Sequence, residues 1–129
     1  MERELSNPAG VHAPQAHYSH VARVGNTLFI AGQLAIDPSG ALIGLGDARS
    51  QARQCYLNLA AILAHYGGSF RHLVKTTTYI THWGFRPLVA AARDEVFPSP
   101  PYPVNTLVVV QGLAEPHFLV EIEGIAVLD

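Results

Sequence analysis

The chain is short of cysteine, of charge and of long apolar runs, and each shortage excludes something. Cys55 is the single cysteine among 129 residues, so no intramolecular disulfide can staple the fold and nothing asks for an oxidising compartment. Charged side chains make up only 14%, with 8 basic residues against 10 acidic ones and a formal net charge of −2. That balance excludes the strongly basic surface of a dedicated nucleic-acid binder, so nucleic acid is not an expected partner. The longest aliphatic run, Leu59 to Ala64, is far too short to span a bilayer. The opening Met1-Glu2-Arg3-Glu4 is too charged for a signal peptide and no apolar stretch follows it, so a cytoplasmic protein without a membrane partner is expected. Seven histidines are present, but H-x-H, HExxH and CxxC spacings are all missing, so neither a metal nor another cofactor is expected.

What the chain does have is apolar mass. Hydrophobic residues reach 49%, enough for one well-buried domain over residues 1–129 and not for two. So few charges on so small a protein also imply that part of its surface is covered in an oligomer.

Punctuation and periodicity divide the chain. Ser6 to Gln15, with Asn7-Pro8 and Pro14, reads as an irregular arm. Tyr18–Val24 and Leu28–Ala31, joined by Gly25-Asn26, read as a β-hairpin, and Asp37-Pro38-Ser39-Gly40 as a turn. Asp47 to Tyr66 carries apolar or small residues at steps of three and four, from Ala48 through Cys55 and Leu59 to Leu63, which predicts a helix capped by Asp47 and stopped by Gly67-Gly68. Gln51, Gln54 and Asn58 fall mostly off that face. Cys55 falls on it, as a buried inert thiol. Leu73–Trp83 reads as a long strand with Val74, Thr76, Thr78 and Ile80 on one face. A second helix is predicted from Pro87 to Phe97, and the prolines at 98, 100, 101 and 103 impose a connector. Thr106–Val110 and Phe118–Leu128 complete the strands, with Glu121 and Glu123 sharing one face of the last. The order ββ-α-β-α-ββ implies a mixed sheet with both helices on one face. Its other face needs a partner to cover it.

The ordered set Leu28-Phe29-Ile30-Ala31-Gly32-Gln33, Asp37-Pro38-Ser39-Gly40, Gln51-Ala52-Arg53-Gln54, Asn58-Leu59, Leu73 through Tyr79 and Val120 through Val127 resembles the Rid family, the reactive intermediate deaminases also labelled YjgF or L-PSP proteins. The resemblance spans nearly the whole chain. It implies an α+β chorismate-mutase-like fold, with two helices on one face of a mixed β-sheet, and a homotrimeric barrel with small-molecule clefts between subunits. It also implies hydrolysis of imines or enamines such as 2-aminoacrylate. In that family a tyrosine near the N-terminus lines the cleft, a glutamate on the last strand positions water, and an arginine after the Pro-rich connector grips the substrate carboxylate. Tyr18 and Glu121 match the first two, as candidate catalytic residues; Gly32 and Gln33 match the turn after the second strand.

The departures are as informative. Ala31 stands where the family has a small hydroxyl residue, and Leu107 stands at a cysteine position. The motif that normally reads Pro-x-Arg-Ser/Thr reads Pro103-Val104-Asn105-Thr106, so the chain resembles an atypical member without the carboxylate-binding arginine. An amide at 105 donates a neutral bond, roughly half as strong as a charge-assisted one, so weak or no action on 2-aminoacrylate-type imino acids is expected. Asn105, Ala31, Gly32 and Gln33 form the expected substrate-binding set. Arg86 and Arg93 are alternative cations, and His17 and His82 alternative acid–base groups, although the plainer reading of the arginines is as solvated helix charges and of the histidines as surface or strand-end residues. Two classes of function stay open: an imine- or enamine-processing trimer, and a trimer that binds a small metabolite without turnover.

Overall fold

Asp47 opens the longer helix as its position predicts. Its carboxylate accepts the Ser50 backbone N–H at 3.1 Å and the Ser50 hydroxyl at 2.6 Å, satisfying donors that no earlier turn can reach. Helix α1 then runs over Ala48–His65 and closes where Gly67, at φ 75°, lets the Gly68 amide return to Leu63. In the computed structural model, which describes residues 1–129, strands β1 (Arg3–Ser6), β2 (Val21–Val24) and β3 (Thr27–Gln33) precede α1. Strand β4 (Leu73–Ile80), helix α2 (Arg86–Val96), β5 (Val104–Val109) and β6 (Val120–Val127) follow it.

The six strands form one sheet in the order β1-β2-β3-β6-β4-β5. Only β4 and β5 are parallel, which is why a helix must connect them. Leu28, Ile30, Leu59, Ile62, Leu63, Ile80 and Ile122 pack between the sheet and the helices. Both helices lie on that one side, and the family's α+β architecture is the observed one. The opposite face carries Phe29, Val104 and Val108, all exposed, together with Glu121 and Glu123. No helix is long and apolar enough to cross a membrane.

Several boundaries differ from expectation for identifiable reasons. Strand β1 carries no alternation, because its residues are exposed or half-buried; the register Arg3↔Val24 to Ser6↔Val21 makes it a strand. Leu73–Trp83 shortens to β4 because His82 Nδ1 accepts the Gly84 amide and starts a helical turn at Trp83–Phe85. Val74 does not share the buried face of Thr76 and Ile80; an irregularity between Leu73 and Lys75 exposes it and buries Leu73 instead. Strand β5 starts at Val104, drawn into register with Lys75. Phe118 leaves the last strand to pack with Leu34 and Ile36 in a small second core.

The polar residues of α1 are also not where periodicity put them. Gln51, Gln54 and Asn58 are buried. Gln51 donates to the Gly44 and His117 carbonyls and accepts the Leu119 amide; Asn58 donates to the Leu34 and Ile36 carbonyls. These amides satisfy loop groups that water cannot reach, which is what allows a polar side chain inside. They also fix Leu34–Ile36, immediately after β3, and so steady the end of that strand.

Candidate active site

Strand β6 presents alternate residues to opposite faces, so Glu121 and Glu123 both point away from the helices. Beside them, β3 carries a bulge. Ile30 pairs with Gly124 and Gln33 with Ile122, so Ala31 and Gly32 together oppose Glu123. The extra residue turns the β3 backbone toward the Glu121 side chain. A Cβ on Gly32 would stand 2.5 Å from Glu121 Oε2, so the carboxylate lies where only a glycine leaves room. Tyr18, Ala31, Gly32 and Glu121 line one hollow of about 390 Å³. A larger adjoining hollow of about 690 Å³ shares Tyr18 and Ala31 and adds His17, Phe29 and Glu123.

The two carboxylates differ. Glu123 accepts the Tyr79 hydroxyl across the sheet, a bond that holds that phenol protonated. Glu121 has no hydrogen bond or ion pair. Burial pushes its pKa up, and the neighbouring Glu123 charge adds to the effect. A carboxyl of raised pKa facing a hollow is suited to taking a proton from water and returning it.

Gln33 does not line this hollow. It is completely buried, and its amide N–H groups reach His20 Nδ1 and the Ala31 carbonyl, both at 3.1 Å. His20 Nε2 in turn donates to the His12 carbonyl at 2.8 Å. Burial lowers the His20 pKa, the His12 carbonyl opposing that effect. The Tyr18 ring rests edge-on against His20, with centroids 5.7 Å apart. Gln33 thus supports the site from beneath, through a histidine that sequence reasoning passed over in favour of His17 and His82. Nothing in its local sequence marks His20 as buried; the signal lies in Gln33, whose amide needs a partner. His82 serves as the cap of the turn before α2.

Asn105 lies elsewhere. It pairs in register with Thr76, on the helix-covered side of the sheet, and its Oδ1 accepts the Thr76 and Thr78 hydroxyls at 2.9 and 3.1 Å. One chain therefore holds Asn105 and Glu121 on opposite faces. Asn105 lines a groove between α2 and β5, together with Arg86, Arg93 and Leu107. Cys55 is sealed in the core, and burial pushes its thiol pKa up, so it is no nucleophile. No three His, Cys, Asp or Glu side chains converge as a metal ion would require.

A helix-backed mixed sheet with a desolvated glutamate in a hollow on its open face defines an α+β domain of the chorismate-mutase-like class. The comparisons agree. The family model described as endoribonuclease L-PSP matches residues 10–128. The chain is 29% identical over 126 residues to the 3-aminoacrylate deaminase RutC of Acinetobacter baylyi, covering 98% of each. It is also 29% identical over 128 residues to a 2-iminobutanoate/2-iminopropanoate deaminase of Dermatophagoides farinae, covering 99% of this chain and 98% of that one. The crystal structure of RidA from the Antarctic bacterium Psychrobacter sp. matches with a TM-score of 0.89 at 30% identity, over 97% of this chain and 99% of that one. This chain belongs to the L-PSP family, also called the Rid or YjgF family.

Proposed function

We propose that this protein hydrolyses the C=N bond of a small imine or enamine-derived metabolite, as a homotrimer with clefts between subunits. The observation that carries the reading is Glu121: a carboxylate without a protein partner, raised in pKa by burial and set against Gly32 and Tyr18 in an open hollow. A protonated imine carbon is already electrophilic, so neither a metal nor a strong nucleophile is needed. Glu121 takes a proton from water as the oxygen bonds to that carbon and the C=N pair moves to nitrogen. It then returns the proton to the amine; the C–N bond breaks, the hydroxyl collapses to a carbonyl, and ammonium leaves with the remaining proton. Tyr18 orients the substrate above Gly32.

Two features support a seam between copies, and with it the trimer. The open sheet face carries exposed Phe29, Val104 and Val108, which a second copy would cover. Asn105 and Glu121, on opposite faces of one chain, can meet a common ligand only across a seam between copies. Since Asn105 is uncharged, 2-aminoacrylate-type imino acids are poor substrates. The same lost charge favours a second reading, a metabolite-binding trimer without turnover. Ammonia release from a panel of freshly generated imines, compared with Glu121→Ala, decides between them. Glu121-dependent release supports the hydrolase; binding of an imine or its ketone product without release supports the binder.

A further inference from the structure

The α2–β5 groove has features that the missing strand arginine does not explain. It consists of two hollows of about 320 and 360 Å³, and Arg93 and Asn105 line both. Arg93 is half-buried yet makes no ion pair and no hydrogen bond within the chain. Glu95, two residues along α2, points to another side of the helix, where it is held by Arg49 at 2.5 Å and Arg53 at 3.8 Å. The other α2 acid, Asp94, lines the groove but is exposed and forms no pair with it. Arg86, the second cation of the groove, is stacked over Trp83 with its guanidinium carbon 5.7 Å from the ring centroid.

Two further donors face the same space. Both Thr76 and Thr78 donate to Asn105 Oδ1, so the amide is oriented with both of its own N–H groups unused. Tyr56 is 2% exposed and lines the smaller hollow, and its hydroxyl makes no hydrogen bond within the chain because its oxygen still reaches solvent there. Burial pushes its pKa up to about 12, while the nearby Arg93 charge opposes the shift, so it is a donor throughout the physiological range. An unpaired guanidinium, a fixed amide N–H pair and a phenol hydroxyl open to the hollow, walled by Phe97 and Tyr102, make a socket for an anion attached to an apolar body.

We propose that Arg93, with Asn105 and Tyr56, binds the carboxylate of a small organic acid, the cation being supplied from helix α2 rather than from strand β5. Guanidinium suits this role because its rigid fork offers two parallel charge-assisted bonds to a carboxylate. The turnover part rests on the hydrolase reading above; the binding part does not. An anchor on the helix holds the acid group in a different place from one on the strand. The favoured ligand is therefore an acid whose carboxylate is set differently from that of 2-aminoacrylate.

The probe is 4-oxopentanoate, whose carboxylate stands two carbons further from the carbonyl than in a 2-oxo acid, with its neutral methyl ester as the matched control, titrated calorimetrically into the intact protein. Wild type is expected to bind the acid in preference to the ester, with affinity falling as salt rises. Arg93→Gln should weaken the acid about 10- to 100-fold and leave the ester unchanged. Arg93→Lys should retain an intermediate affinity, and Arg71→Gln, an exposed arginine paired to Asp129, should bind like wild type. Equal binding of acid and ester by wild type, or equal acid binding by wild type and both Arg93 variants, overturns the proposal. Arg93-dependent binding without ammonia release from any imine would leave this site standing and remove the hydrolase. Glu121-dependent release with Arg93-independent binding would do the reverse.

Discussion

Gly32→Ala isolates the placement of Glu121 from the stability of the fold. The new methyl would sit 2.5 Å from Oε2, 2.6 Å from Cδ and 2.9 Å from Cγ of Glu121. All three atoms belong to the outer part of one flexible side chain that nothing else in the chain bonds, so the clash resolves by swinging the carboxylate away. Gly32 is not among the glycines held at positive φ, so alanine brings no backbone strain there. Its lower unfolded-state entropy contributes up to about 1 kcal/mol in the opposite direction. The expected thermal midpoint therefore stays within about 4 °C of wild type. Activity is another matter. Restoring ordinary contact displaces the carboxylate by about 1 Å, and misplacement on that scale lowers a rate on the order of 100-fold. The assay is ammonia release on the best imine found, with a parallel melt. The expected result is a loss in kcat with little change in Tm. Full activity would show that the carboxylate position is immaterial; loss of the folded state would show that Gly32 is needed for packing rather than for the site.

Further outcomes follow from the same structure. Because burial raises the Glu121 pKa in the fold above its unfolded value, its stabilising contribution is complete below the unfolded value and is lost as pH rises through the folded one. Glu121→Gln should therefore abolish turnover and yet stabilise the protein at pH 8 by at most about 1 kcal/mol, since solvent on its open side screens the burial penalty; urea melts at pH 4 and pH 8 should differ accordingly. His20 has the opposite sign. Its folded pKa lies below the unfolded value, so stability is complete above the ordinary histidine range and falls as pH drops through the folded pKa. A His20→Gln variant should lose that acid sensitivity in melts between pH 7.5 and 5. Asn58→Ala leaves the Leu34 and Ile36 carbonyls without their donor, at a cost of about 3 kcal/mol in denaturant unfolding. A change under 1 kcal/mol would mean that these carbonyls find water instead.

The parts of the fold legible in the sequence are those in which one side of an element is buried. Helix α1 was readable from its step of three and four and from Asp47, and β6 from its strict alternation, which also set Glu121 on the open face. Strand β1 was not, because an edge strand without a buried side leaves no pattern. The buried amides of α1 escaped for a different reason: their partners are loop carbonyls distant in sequence, and no local window contains both ends of such a bond. At the site, the motifs point to Glu121, Gly32, Ala31 and Tyr18, which share one hollow. Gln33 belongs to the same motif but is buried beneath the hollow against His20, since a position inside a bulged strand does not reveal which way its side chain turns. Arg93 is visible in the sequence as a charge on α2, but that it lines the same groove as Asn105 depends on how α2 crosses the sheet, which no local pattern records.

The most direct measurement of the central claim restores the missing charge. Asn105→Arg, assayed for ammonia release from enzymically generated 2-aminoacrylate, is expected to exceed wild type by about tenfold or more, and the same variant carrying Glu121→Ala should fall to the rate in buffer. An arginine variant no faster than wild type, or a double variant that keeps its rate, would contradict imine hydrolysis by Glu121 across a cleft closed by residue 105.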